Sequence, residues 1–168
     1  MVPMRTTRAG AGCSRARGDL MIDQGKARYP VSEVVLHCAA IKTGQFAHMR
    51  PFQVFATINR WHIERGFKNG FGYHGLFMPD GEFYAGRPYE MIGAHCIEAN
   101  RGTLGFLMIE QAEITHISKL PDAWFTPRQL DAVQQHIRAI PGIKRVSGHN
   151  DYAAKLCPGF KVQSQDWL

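Results

Sequence analysis

A chain of 168 residues with 45% hydrophobic and 20% charged side chains has the composition of one folded domain with room for a real core. No run approaches the ~18 consecutive apolar residues of a membrane span, which excludes a spanning helix on sequence grounds. The net charge of +6 is uneven: residues 1–28 carry six basic side chains against Asp19 and Asp23, leaving only +2 on the rest, so a nucleic-acid-binding face within the body is disfavoured.

Residues 1–28 are rich in Arg, Gly and Ala, show no hydrophobic period and lack the apolar core of a signal peptide. The expectation is a disordered basic tail, with one domain over residues 29–168. Val31 to His37 reads as a buried strand that ends on His37. A polar loop follows, and Pro51 suits a helix first turn. Val54, Ile58, Trp61 and Arg65 then keep helical spacing, with Phe55 alongside, and Gly66 closes the helix. The stripe Val54, Phe55, Ile58 and Trp61 reads as core. Phe71–Met78 and Glu82–Ala85 flank Pro79-Asp80-Gly81, a hairpin signal. Leu104 to Glu110 is nearly all apolar, as a central strand should be. Thr126-Pro127-Arg128-Gln129 combines an N-cap, a first-turn Pro and a capping-box Gln, and Leu130, Val133 and Ile137 mark one helix face. Ile143 to Gly148 is the last strand and presents His149. Strands interleaved with two helices make the fold class α/β, a single domain with a mixed sheet.

The chemistry gathers near the C-terminus, where His149, Lys155 and Cys157 fall within nine residues. A His and a Cys are half of a zinc site, and His37 is the best third donor. A lone His after a strand is ordinarily just a satisfied polar residue; the joint pattern favours Zn²⁺, one per chain. Two imidazoles and a thiolate leave a tetrahedral ion one open position, as catalytic zinc requires. Cys38 follows His37 directly, but adjacent strand residues point to opposite faces, so only one of the two can face a shared metal. Lys155, two residues before Cys157, would share its face if the chain there is extended, and Tyr73 is the candidate phenol for stabilising an oxyanion. His48, His62, His116 and His136 read as structural, and Cys38 and Cys96 as small buried hydrophobes.

His37-Cys38-Ala39-Ala40, Gly72-Tyr73-His74, Asp80-Gly81 with Ala85-Gly86-Arg87-Pro88, Gly93-Ala94-His95, Asn100-Arg101-Gly102-Thr103-Leu104-Gly105, and Gly148-His149 with Lys155-Leu156-Cys157-Pro158-Gly159-Phe160 occur in that order. Together they resemble the zinc-dependent N-acetylmuramoyl-L-alanine amidases of the bacteriophage-lysozyme and peptidoglycan-recognition type, over roughly residues 31–162. The resemblance implies a mixed sheet flanked by helices, with a zinc cleft that cuts between the lactyl group of muramic acid and L-alanine. It implies His37, His149 and Cys157 as zinc ligands, Tyr73 and Lys155 as catalytic, and His74 and His95 as cleft-lining substrate contacts. Which of Tyr73 and Lys155 handles protons stays open.

Three departures stand out: Leu104 where the family has Ile, Glu110-Gln111 where it often has Gly, and a longer loop from Ile41 to Phe52. The partner expected is bacterial peptidoglycan or its muropeptides, with no nucleic acid, and the chain is expected to be a monomer. A phage or prophage endolysin fits best: made in the cytoplasm without a signal peptide, and reaching the wall after another protein permeabilises the membrane. The alternatives are a non-catalytic peptidoglycan-recognition module, disfavoured by the presence of Cys157, and a cytoplasmic amidase that recycles muropeptides.

Overall fold

The computed structural model describes residues 21–168. Residues 1–20, most of the expected tail, lie outside the described residues. The expectation of disorder to residue 28 is overturned for residues 21–28. Strand β1 (Asp23–Gln24) pairs antiparallel with β2 (Tyr29–Pro30). Gln24 is fully buried: its amide donates to Thr103 O at 2.8 Å and its Oε1 accepts from Gly102 N at 2.9 Å. Composition missed this because the buried hydrogen bonds of one polar side chain, Gln24, join the packing of Ile22 on the core in holding the segment in place.

Five further strands form one mixed sheet: β3 (Glu33–Cys38), β4 (Gly75–Phe77), β5 (Phe83–Ala85), β6 (Thr103–Met108) and β7 (Arg145–Gly148), in the order β5-β4-β6-β3-β7. The centre is the six-residue parallel pairing of β3 with β6, from Glu33 opposite Thr103 to Cys38 opposite Met108. Both strands are buried on both faces, which is why they read as near-continuous apolar runs. Strands β4 and β7 also run parallel to their neighbours, and β5 alone is antiparallel, returning through the turn expected at Pro79-Asp80-Gly81. Gly81 has φ +85°, the left-handed conformation that glycine adopts without a Cβ penalty.

Each sheet face has its own helix. Val34, Leu36, Cys38, Leu104, Phe106 and Met108 pack with Val133 and Ile137 of α2 (Pro127–Ala139). Leu76, Leu107 and Ile109 pack with Val54 and Ile58 of α1 (Pro51–Glu64). The alternation therefore puts His37 on the α1 side and Cys38 in the α2-side core. Thr126 caps α2 as expected, its Oγ1 accepting from Gln129 N at 3.0 Å. The capping box does not close. The Gln129 side chain is fully buried and donates instead to Phe77 O (2.9 Å) and Ile109 O (3.0 Å), tying α2 to the chain at the ends of β4 and β6. The reach-back occurs in α1, where Gln53 Oε1 accepts from Arg50 N at 2.8 Å.

Candidate metal centre and cleft

Strand β3 carries His37 on its α1 side one residue before the strand ends, and the neighbouring strand β7 ends at Gly148, so His149 follows directly in a short 3-10 turn, His149–Asp151. Asp151 Oδ2 accepts from Gly148 N at 2.9 Å and fixes the exit of the strand. Cys157 returns after a loop, and its Sγ accepts from Cys38 N at 3.2 Å, a backbone donor left free where β3 stops. The segment before Cys157 is a series of bends, not an extended chain. Lys155 thus reaches the same cleft as Cys157 by a different route from the strand alternation expected.

The donor atoms of His37, His149 and Cys157 all lie within 4.8 Å of one another, with His37 Nδ1 3.7 Å from Cys157 Sγ. Tetrahedral zinc, with Zn–N of about 2.0–2.1 Å and Zn–S of about 2.3 Å, would separate its donors by roughly 3.3–3.7 Å. The group fits such an ion with only small side-chain adjustment, and two imidazoles with one sulfur are a donor set zinc accepts.

The electrostatics agree with that use. The Cys157 thiol is held well below its usual range, first by its interaction with the neighbouring Cys38 side chain, against the opposing effect of burial. Cys38 is correspondingly pushed up by Cys157 and by burial, so it stays a thiol. Burial lowers His37 and keeps its ring neutral, the ligating form.

A cleft of about 560 Å³ opens beside the group, lined among others by Tyr73, His149, Lys155 and Cys157. Tyr73 is half-buried, with its ring centroid 5.1 Å from that of His37. Burial first, and then the charge on Cys157, pushes its phenol up, so it remains a donor. Lys155 is exposed at the cleft mouth. Trp61 of α1 and Arg65, just past the helix end, also line the cleft. Sequence spacing had put Trp61 in the core; it is half-buried against the α1-side core, stacks on Phe46 at 5.8 Å and also lines the cleft. A helical stripe cannot tell a core position from a cleft wall, since both need an apolar side chain.

Two expected cleft residues do not line it. His74 is fully buried, its Nδ1 accepting from Gly105 N at 3.0 Å and its Nε2 donating to Met91 O at 2.8 Å. Both nitrogens serve the backbone and none is left for substrate. His95 is 8% exposed and lies behind His37, with its Nδ1 3.1 Å from His37 Nε2 and its Nε2 3.4 Å from Thr103 Oγ1. The sequence held a signal for this: an interior-strand glycine, Gly105, marks a close approach by another group, here the His95 ring.

Glu110 stands where the resemblance leads one to expect glycine, and it is a structural clamp. It is 3% exposed, and its carboxylate accepts from Ala39 N (2.9 Å) and Ile41 N (2.8 Å), on either side of Ala40 at φ +55°. Those residues form one wall of the cleft.

The family model described as N-acetylmuramoyl-L-alanine amidase matches residues 27–160. The endolysin of Enterobacteria phage K11 is 29% identical over 139 residues, covering 81% of this chain and 85% of the phage protein. Among solved structures, the N-acetylmuramoyl-L-alanine amidase LysC from Clostridium intestinale URNW is similar with a TM-score of 0.60 at 24% identity, over 77% of this chain and 76% of that one. The bumblebee protein PGRP-SA reaches a TM-score of 0.66 at 21% identity, over 92% and 90% of the two chains, a likeness of fold. With the family model spanning most of the described chain, this protein belongs to the N-acetylmuramoyl-L-alanine amidase family.

Proposed function

We propose that this chain is a zinc-dependent peptidoglycan amidase of the endolysin kind, hydrolysing the bond between the lactyl group of N-acetylmuramic acid and L-alanine. The observation that carries the reading is the His37–His149–Cys157 group opening onto a cleft that Tyr73 and Lys155 also line. When bound there, zinc supplies Lewis acidity for the scissile carbonyl and brings the pKa of a water to about 7. His37 Nδ1, a nitrogen of His149 and the Cys157 thiolate would hold it. Tyr73, kept protonated by burial, donates a hydrogen bond toward the oxygen on which negative charge develops. The exposed ammonium of Lys155 stabilises the same charge from the cleft mouth. Cys38, held as a thiol, does not compete as a fourth ligand.

All three donors come from one chain, so the site needs no second copy. Among the described residues no helix is long and apolar enough to cross a membrane. The site of action is the cell wall. The test is digestion of purified peptidoglycan, with release of new L-alanine amino termini as the readout. Release that stops on chelation, returns with zinc and is absent in Cys157→Ala supports the reading; full release by that variant sinks it.

A further inference from the structure

Among the buried rings that the proposed chemistry does not use, His95 is the one in contact with a zinc-ligand candidate. His95 sits behind His37, away from the cleft, in a space that two glycines keep open. A Cβ on Gly93 would fall 2.4 Å from His95 Cδ2, and one on Gly105 would fall 2.3 Å from its Cγ. The loop bearing the ring is pinned as well, since Asn100 Oδ1 accepts from His95 N at 2.8 Å and from Cys96 N at 3.0 Å.

The hydrogen bonds around it fix a direction. Thr103 Oγ1 donates to Ala99 O, a carbonyl that can only accept. The hydroxyl proton is thereby used, so Thr103 Oγ1 receives from His95 Nε2 across the long 3.4 Å contact. A neutral imidazole carries one proton. With that proton on Nε2, His95 Nδ1 is an acceptor, and it faces His37 Nε2 at 3.1 Å. His37 must then carry its own proton on Nε2. Its Nδ1, the atom 3.7 Å from Cys157 Sγ, is left with a free lone pair. The reverse arrangement would protonate Nδ1 and block it as a donor to a metal.

We propose that His95 is a positioning residue: relayed from Ala99 O through Thr103, it fixes His37 as the Nε2–H tautomer and holds its Nδ1 toward the metal position. This rests on the zinc reading of the site. Partners of this kind orient ligating histidines, and losing one typically costs about 10–100-fold in metal affinity or activity.

The experiment measures zinc affinity by competition with a chromophoric chelator, with thermal unfolding of each zinc-free protein as the check on folding. His95→Leu keeps the bulk but removes the acceptor and should bind zinc about 10–100-fold more weakly. His95→Asn places an oxygen near the position of Nδ1 and should recover most of the loss. Thr103→Val should shift affinity in the same direction by less. Nitrogen-15 spectra of the zinc-free wild type should show the His37 proton on Nε2. Folded His95→Leu with wild-type zinc affinity overturns the proposal, as does a His37 proton found on Nδ1, a measurement that needs no variant to fold. Failure of the wild type itself to bind one zinc is a separate outcome: it removes the zinc reading on which the proposal rests.

Discussion

Acid should unfold this protein earlier than its carboxylates alone would require, because two histidines are buried as neutral structural rings. His74 and His62 are each lowered to about 4, chiefly by burial, from a usual value of 6.5. A histidine depressed in this way contributes stability that is complete above the unfolded value and is lost as pH falls toward the folded one. At pH 5 the unfolded chain binds nearly one proton at each ring and the folded chain about a tenth of one, so each costs roughly 2 kcal/mol relative to pH 7, and the pair ~4 kcal/mol. That is a large part of the ~5–15 kcal/mol holding an ordinary domain together. His37 and His95, also lowered by burial, add to the loss. Glu110 works against it: its carboxyl is raised by burial, so its contribution is full at low pH and falls as pH rises through the raised value. The assay is urea unfolding of zinc-free protein at pH 7 and pH 5 at one ionic strength. With a slope of about 2 kcal/mol per molar, the midpoint should fall by roughly 2 M. A midpoint that holds steady, or proton spectra in which either ring titrates near 6.5 in the folded protein, would refute the reasoning.

Three further outcomes follow from single contacts. Glu110→Ala leaves Ala39 N and Ile41 N without their acceptor, at about 1–3 kcal/mol each, and should lower stability by roughly 2–6 kcal/mol in chemical denaturation. Gly105→Ala puts a methyl group into the His95 ring and should either prevent folding or displace that ring, read as weakened zinc binding in whatever protein folds. Tyr73→Phe and Lys155→Ala should each retain zinc while lowering kcat on peptidoglycan, by up to ~10²–10³-fold if each is a full oxyanion donor. Unchanged kcat in both variants would remove them from the proposed chemistry.

Most of the frame was legible because period and punctuation agree. The apolar runs ending on His37 and spanning Leu104 to Glu110 fall on the paired central strands, and Pro51 and Pro127 open the two helices. The three donors that the structure gathers were suggested by donor type, since His37, His149 and Cys157 are a set zinc accepts wherever the chain brings them together. What sequence could not supply was depth. His74 falls in the strand-like run Phe71–Met78 and His95 in a loop after Gly93-Ala94, and nothing in the pattern says whether either ring faces a cleft or turns beneath a strand. Gln129, read as a capping-box residue, was misjudged for a related reason, and Gln24 was passed over within the expected tail. An amide spaced for a surface role is equally suited to satisfying buried carbonyls, and only tertiary packing decides which it does.

The two sheet faces explain why the site is built on one side of β3 and not the other. On the α2 face, Leu36, Phe106 and Val133 leave no space between sheet and helix, and Cys38 belongs to that packing. On the α1 face, the helix covers Leu76 and Leu107, and a cleft remains there, lined by Trp61 and Arg65 and by Lys155 and Cys157 of the returning loop. His37 takes the open face by strand alternation alone, one residue before the chain leaves the sheet. The polar groups behind it are buried and paired: His95 toward Thr103, His74 toward the backbone, Glu110 toward the loop after Cys38. A group buried and paired in this way has few alternatives to its observed position. The donor set at the cleft floor is therefore held from behind, which leaves the front free for substrate.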